Sequence, residues 1–338
     1  MALLHWKHRY DMHYKELDLQ HRGLLELLNE LILMASGPED PEGMGSVFSR
    51  LCTYVHVHFA TEEKYLAACG SSGLARQQRE HAWFVEQLLS LNDTHNAGDS
   101  ALHRETLKLL KRWFLEHILG SDLACAADLR NYHATAPIRG VIFDFGNVIS
   151  RFDNRRFVAA LGALCGREPQ ELGRLLYRES TLTQDFERGD LTPAAFTQGV
   201  AELCGHPLEE KQLAAAYCDI FTPIPETLAL IRALKSRYRL GLLSNTNVWH
   251  FRHAIAPSEA FRLFDGVTLS YQAKALKPEP QVFHEIVGKL DLMAEECVFI
   301  DDRQEFVDAA NEQLLHGVTY TGPQALERDL ASLGILAQ

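Results

Sequence analysis

Asp144 closes the apolar run GVIF and is followed by Phe145, Gly146 and Asn147. Ser244 closes a second run in LLSNTN, Lys277 stands in LKPEPQVF, and Asp301 and Asp302 end CVFIDD. Open parallel sheets place their sites at the carboxyl ends of buried strands. There, Asp144 and Asp301 can hold Mg²⁺. Ser244 and Lys277 can hold three phosphoryl oxygens, and Asp144 can attack phosphorus in line to give an aspartyl-phosphate. Any one of these motifs is common. The ordered set, drawn from separate parts of the chain, is far more specific.

A second group of chemistry-bearing residues lies earlier. His21 stands in DLQHRGLLELLN, His58 and Glu62 in VHFATEEKYL, His81 in QQREHAWFVEQL, and His117 and Asp122 in WFLEHILGSDL. His58 and Glu62 are four apart and share a helix face. His117 and Asp122 are five apart, a looser spacing that still reaches one centre near a helix end. Imidazoles and carboxylates among apolar neighbours need partners, and a metal pair inside a bundle supplies them. Nitrogen and carboxylate donors without thiolate suit iron or manganese, with zinc left open.

The elements that must position these groups follow from periodicity. Apolar residues recur at three and four over 17–34, 46–68, 76–91 and 101–129, which predicts four helices. The stretches 36–45, 69–73 and 92–100 break them, so short loops and an antiparallel four-helix bundle are expected. From residue 140 the pattern changes. GVIFDFGNVI (140–149) reads as one continuous strand, and strand-like runs at 238–245, 266–270, 297–302 and 317–321 alternate with helices. That alternation predicts a parallel sheet covered on both faces. The expected organisation is multidomain: an all-α bundle over 1–131, a linker over 132–138, and an α/β Rossmann-like domain over 139–335 with a small helical cap over about 152–222.

The chain has 338 residues and a net charge of −12, which argues against a nucleic-acid binder because backbone binding needs a basic footprint. It likewise gives no basis for adhesion to acidic membranes. Apolar runs fall short of a spanning length. The first residues lack a basic head followed by an apolar stretch, so no signal peptide is expected. The seven cysteines are scattered and never form a CxxC pair. A reduced, cytoplasmic protein is therefore expected.

The first half resembles the bacterial hemerythrins, di-iron bundles that bind oxygen. The resemblance rests on Trp6, the DxQH of Asp18 to His21, Asn29, the HFxxEE of His58 to Glu63 and the WxxxHIxxxD of Trp113 to Asp122. It implies that His21 and His58 serve one iron, that His81 and His117 serve the other, and that Glu62 and Asp122 bridge. It also expects a histidine four residues before His81, where this chain has Gln77. Gln77 then coordinates weakly through its oxygen or leaves the place to water; alternatively, one metal is lost or exchanged. A di-iron pair, or manganese or a mixed pair, with altered reactivity toward dioxygen or peroxide is expected. The helical offsets of Glu63 and Glu80 do not favour them as replacement ligands.

The second half resembles the haloacid-dehalogenase-like superfamily from about Ile138 to Gly322, with Asp144, Ser244, Lys277 and Asp301/Asp302 as its four motifs. Most phosphatases of that superfamily carry an aspartate where this chain has Gly146, and that aspartate protonates the leaving oxygen. FDFGNVI, with LSNTN and KPE, is similar to the bacterial glucose-1-phosphate phosphatase branch, which also has glycine there. Asp144, Gly146, Asp301 and Asp302 thus mark the Mg²⁺ site or its surroundings. Phe306 stands where asparagine is usual and Lys274 where glycine is usual. Asp153, Arg155, Arg156 and Arg188 in the cap are possible substrate contacts that individually read as surface charges.

The resemblances imply a Mg²⁺-dependent phosphatase of a small phosphorylated metabolite, joined to a di-iron oxygen-reactive or sensory bundle. The alternative is a non-catalytic, ligand-binding hydrolase fold attached to a di-iron oxidase, peroxidase or oxygen sensor. Carbon–halogen hydrolysis also uses an aspartate nucleophile, but the Asp301–Asp302 pair reads better as a metal motif. Oligomeric state is not legible.

Overall fold

The structure, a computed structural model, describes residues 3–34, 41–95 and 102–336. The chain divides into two compact units, Met1–Ala136 and Pro137–Gln338. Among the described residues, no helix is long and apolar enough to cross a membrane.

The first unit contains α1 (Lys15–Met34), α2 (Pro41–Ala68), α3 (Leu74–His95) and α4 (Leu102–Glu116). A π-helical segment, His117–Asp122, then leads into α5 (Leu123–Thr135). The helices pack in cyclic order, α1 on α2, α2 on α3, α3 on α4 and α4 on α1. Their apolar stripes meet in one core: Leu24, Leu28 and Ile32 of α1, Leu51 and Val55 of α2, Phe84 and Leu88 of α3, and Leu110 and Phe114 of α4. The predicted helical bundle is therefore present. Three boundaries differ from expectation. α2 begins at Pro41, a residue pre-set for the first helical turn, so 41–45 is helix, while the expected break at 36–40 lies outside the described residues. α3 runs on to His95, and 96–100 also lies outside them. α5 continues to Thr135, so most of the expected linker is helical.

In the second unit, β1 (Gly140–Phe143), β4 (Arg239–Ser244), β5 (Gly266–Leu269), β6 (Cys297–Asp301) and β7 (His316–Thr319) form a parallel sheet ordered β5-β4-β1-β6-β7. Every residue of β1 and β6 is buried, as expected for strands covered on both faces. Successive side chains of β1 enter different cores: Val141 and Phe143 join Leu240, Leu242, Val298 and Ile300. Ile142 joins Leu243, Phe283 and Phe299 on the opposite face. The covering helices include α11 (Pro225–Leu234), α14 (Pro280–Leu290), α15 (Gln304–Glu312) and α16 (Pro323–Ser332). Two short helices, α12 (Val248–His250) and α13 (Ser270–Ala273), follow β4 and β5.

The run 140–149 is not one strand. β1 stops at Phe143, the Asp144 amide donates to the Ile300 carbonyl, and the chain turns through Asn147 at φ 55°. The backbone amides of Ile149 and Ser150 both donate to the Phe145 carbonyl, closing the turn. A two-stranded antiparallel ribbon follows, β2 (Ser150–Phe152) on β3 (Phe221–Pro223), which the apolar pattern gave no sign of. Between its strands run the cap helices α6 (Asn154–Cys165), α7 (Pro169–Tyr177), α8 (Leu182–Arg188), α9 (Pro193–Cys204) and α10 (Glu210–Cys218). They enclose an aromatic cluster of Phe157, Phe186, Phe196 and Tyr217.

Candidate metal centre and candidate active site

Inside the bundle, His21, His58 and Asp122 bring one ligand atom each within 4.8 Å of one another, and Glu62, His81 and His117 do the same. All six side chains are buried. Asp122 links the two groups, with Oδ2 at 3.2 Å from His21 Nε2 and Oδ1 at 3.1 Å from His117 Nε2. Glu62 Oε2 lies 3.2 Å from His81 Nε2. The five-residue spacing of His117 and Asp122 is resolved by the π-helical segment that runs between them. A π-turn closes i to i+5, so residues five apart come onto one face, and such bulges recur at functional sites.

The outer ring nitrogens are held by acids and an amide. His81 Nδ1 pairs with Glu63 at 2.7 Å, His117 Nδ1 with Glu80 at 2.7 Å, and His58 Nδ1 with Gln20 at 2.9 Å. Such partners fix the tautomer and aim the other nitrogen inward. Glu63 and Glu80 thus sit on the outer nitrogens of His81 and His117, a position that the sequence did not reveal. Phe59 stacks on His81 at 3.7 Å and Trp113 on His117 at 4.4 Å. Burial lowers the pKa of His58 well below the usual range and that of His81 to about 4, keeping both rings neutral. Burial and the neighbouring Asp122 raise Glu62, whereas His117 and His21 outweigh burial and lower Asp122.

Several of these buried atoms, namely His21 Nε2, His58 Nε2, Glu62 Oε2 and Asp122 Oδ2, have no hydrogen-bond partner among the described residues. Unsatisfied buried polar atoms are costly. Orphaned donors that converge, with neutral imidazole and carboxylate chemistry, fit a pair of transition-metal ions. Gln77 is buried in the same cluster, and its Oε1 likewise has no hydrogen-bond partner among the described residues. Its Nε2 donates to Asp122 Oδ1 at 2.8 Å and to Glu62 Oε1 at 3.2 Å. A cavity of about 420 Å³, lined in part by Arg76, Glu80, Trp83, Trp113 and His117, reaches the His117 side of the cluster.

In the second unit the strand ends converge. Lys277 Nζ lies 2.8 Å from Asp144 Oδ1, 2.5 Å from Asp301 Oδ2 and 3.2 Å from the Leu243 carbonyl. Asp144, Asp301 and Asp302 bring ligand oxygens within 4.8 Å of one another, a hard-oxygen set that fits Mg²⁺. Lys277 is fixed by a reciprocal pair: its amide donates to Asn245 Oδ1, and Asn245 Nδ2 donates to its carbonyl. Asn147 Nδ2 donates to Asp302 Oδ2 at 2.9 Å, and the Arg303 amide donates to Asp301 Oδ1 at 2.9 Å. Ser244, at the end of β4, is buried at the same edge. Burial raises the Asp144 pKa to about 7, with Asp301 adding and Lys277 opposing. Burial would lower Lys277, but Asp144 and Asp301 outweigh it and raise its pKa.

Gly146 does not have positive φ. A Cβ there would meet the Phe152 ring at 2.9 Å and lie 3.7 Å from Asp144 Oδ2. The Phe152 ring thus occupies the space that an aspartate at 146 would need. Lys274 adopts φ 56°, which explains why glycine suits its position, and its ammonium donates to the Gly189 carbonyl. The Phe306 ring lies 5.1 Å from Lys277 Nζ and 4.3 Å from the Arg303 guanidinium. Of the cap charges, Arg155 pairs with Asp153 and Arg156 with Asp219. Arg188 reaches out of the cap to Glu279. Sequence reasoning gave Asn147 no role of its own and passed over Phe152 and Glu187, neither of which stands in a strand-end motif.

Residues 12–124 match the hemerythrin HHE cation-binding domain, and residues 138–312 match the haloacid dehalogenase-like hydrolases. Over 182 residues the chain is 29% identical to D-ribitol-5-phosphate phosphatase of Bacteroides thetaiotaomicron, covering 52% of this chain and 88% of that protein. Over 130 residues it is 29% identical to bacteriohemerythrin of Stenotrophomonas maltophilia, covering 38% of this chain and 84% of that one. The solved structure of a HAD-like family hydrolase from Porphyromonas gingivalis is similar, with TM-score 0.51 and 26% identity, over 58% of this chain and 98% of that chain.

Proposed function

Since the chain belongs to the haloacid dehalogenase-like hydrolases and carries a hemerythrin-like domain ahead of the hydrolase domain, we propose that the second domain is a Mg²⁺-dependent phosphatase of a small phosphorylated polyol or sugar. One observation carries this: Lys277 Nζ joins Asp144 and Asp301 at 2.8 and 2.5 Å at the carboxyl edge of the sheet. The similarity to a D-ribitol-5-phosphate phosphatase supports a polyol phosphate over the anomeric sugar phosphate of the glucose-1-phosphate branch. Mg²⁺ held by Asp144, Asp301 and Asp302 would supply neutralising charge for the phosphoryl group. Asp144 Oδ attacks phosphorus, and the leaving oxygen departs on the opposite side. Ser244 Oγ and Lys277 Nζ hold the outer phosphoryl oxygens, and water then frees phosphate from Asp144.

His21 and His58 would hold one transition-metal ion, by preference iron, and His81 and His117 the other, with Glu62 and Asp122 supplying carboxylate oxygens to the pair. Bound there, the pair would supply reactivity toward dioxygen or peroxide. Gln77, where an imidazole is expected, and the cavity beside His117 support access of a small molecule to that second metal. Ligand binding without turnover in the hydrolase domain is the second reading, favoured by Phe152 filling the space beside Gly146.

The intact protein with Mg²⁺ should release phosphate from D-ribitol 5-phosphate and 4-nitrophenyl phosphate, and Asp144→Asn should abolish both while the protein stays folded. A wild type inert toward every ester leaves only the binding reading. Elemental analysis after anaerobic reconstitution with ferrous iron should find two metal ions per chain, and fewer than two would refute the paired site.

A further inference from the structure

The phosphatase reading leaves one step without a residue, because Gly146 cannot protonate the leaving oxygen. In an in-line displacement that oxygen lies opposite the attacking Asp144 carboxylate, on the side closed by the cap. The last turn of α8 is held against the crevice on both sides of a carboxylate. The Ser270 hydroxyl lies 2.6 Å from the Glu187 carbonyl, and the Thr246 amide, two residues past Ser244, donates to the same hydroxyl at 2.8 Å. Arg188 makes two bonds to Glu279, two residues past Lys277, at 3.0 and 2.6 Å. Gly189 takes φ 80°, and a Cβ there would stand 2.3 Å from the Tyr271 carbonyl, so no side chain fits. Glu187 is therefore fixed between the segments that carry Ser244 and Lys277.

Its carboxyl has no hydrogen bond or ion pair among the described residues. The charged groups that act on it are Arg303, Asp144 and Lys277, all at the catalytic edge. Burial raises its pKa to about 7, with Asp144 adding and Arg303 and Lys277 opposing. A carboxyl of that kind can both give and take a proton near neutrality.

We propose that Glu187 is the general acid of the phosphoryl-transfer step and the general base of the hydrolytic step, taking the work that residue 146 does elsewhere. This rests on the phosphatase reading. As the Asp144 oxygen–phosphorus bond forms, the bond from phosphorus to the leaving oxygen breaks. The Glu187 proton passes to that oxygen and frees the alcohol. The Glu187 carboxylate then takes a proton from water as that water attacks phosphorus, and the bond to Asp144 breaks. Ester and water become alcohol and phosphate, and both carboxyls return to their starting states.

The test compares leaving groups in the intact protein with Mg²⁺. The parameter kcat/KM covers the steps through departure of the alcohol, so it isolates leaving-group protonation. Glu187→Gln should lower kcat/KM for D-ribitol 5-phosphate about 10²-fold or more, the usual worth of a general acid. The fall for 4-nitrophenyl phosphate, whose phenolate leaves without help, should be several-fold smaller. Glu187→Asp keeps the carboxyl and should show the same asymmetry with a smaller fall. Equal falls for the two esters, or no fall for either, in an active protein would overturn the role of Glu187 and leave the phosphatase reading standing. A wild type inert toward both esters would overturn both.

Discussion

Replacing Lys277 by methionine removes the only cation within bonding distance of both Asp144 and Asp301 among the described residues. The ammonium is almost fully enclosed, and its three contacts run to Asp144, Asp301 and the Leu243 carbonyl. Methionine keeps the chain length and apolar contacts, so the loss is one of charge. Breaking a buried pair from one side costs about 3–5 kcal/mol, because the remaining charge stays desolvated. Here two carboxylates lose their partner and a third, Asp302, lies in the same cluster. For a unit of about 200 residues, each kcal/mol shifts Tm by roughly 2–4 °C, so the hydrolase transition should fall by roughly 6–20 °C. Calorimetry of the intact chain without divalent metal measures this. Millimolar Mg²⁺ should then raise the variant more than the wild type, since the metal becomes the sole source of positive charge for the cluster. A fall of less than about 2 °C, or equal stabilisation of the two proteins by Mg²⁺, would refute the claim that Lys277 balances both carboxylates.

Gln77→Leu removes the amide that bonds Asp122 and Glu62. At about 1.5–3 kcal/mol per bond to a charged group, the metal-free bundle should lose several kcal/mol, and the iron-loaded bundle clearly less, as denaturation with and without chelator would show. Gly146→Asp alone should gain no activity toward alkyl phosphates, because Phe152 fills the space. Combined with Phe152→Ala it should raise their kcat/KM, and an equal effect of the single and double variants would contradict the steric account. His250 is buried, with Nε2 donating to the Tyr217 carbonyl and Nδ1 facing the Asn247 amide nitrogen, so the neutral ring is the one that fits. Burial lowers its pKa to about 4 from 6.5. The unfolded chain binds the proton first, so this contribution is complete above pH 6.5 and is lost as pH falls toward 4. At about 1.4 kcal/mol per unit, the loss is about 3 kcal/mol. His250→Leu should flatten that acid limb in urea titrations between pH 7 and 4.

The two architectures were legible in the sequence because each rests on a local period. LLELLNELI repeats at three and four, and the buried strands around Ile142, Leu242 and Phe299 read as apolar runs, so a helical bundle and a covered parallel sheet follow from side-chain direction alone. The strand-end residues Asp144, Ser244 and Asp301 could be picked out for the same reason, since parallel strands bring their carboxyl ends to one edge. Other features depended on contacts between distant segments, which no local period encodes. The five-residue step from His117 to Asp122 lies on one face only because the helix takes a π-turn there, a departure from ideal geometry that local propensity does not select. That the Gln77 amide nitrogen meets Glu62 on a neighbouring helix and Asp122, 45 residues further along, depends on how the helices pack. The space beside Gly146 was decided by Phe152 in a short ribbon that pairs with Phe221, nearly 70 residues away. Glu187 is one acid among many in the sequence. It gains a direction from Ser270, Glu279 and Tyr271, because side-chain hydrogen bonds and close packing fix the last turn of α8, which carries it.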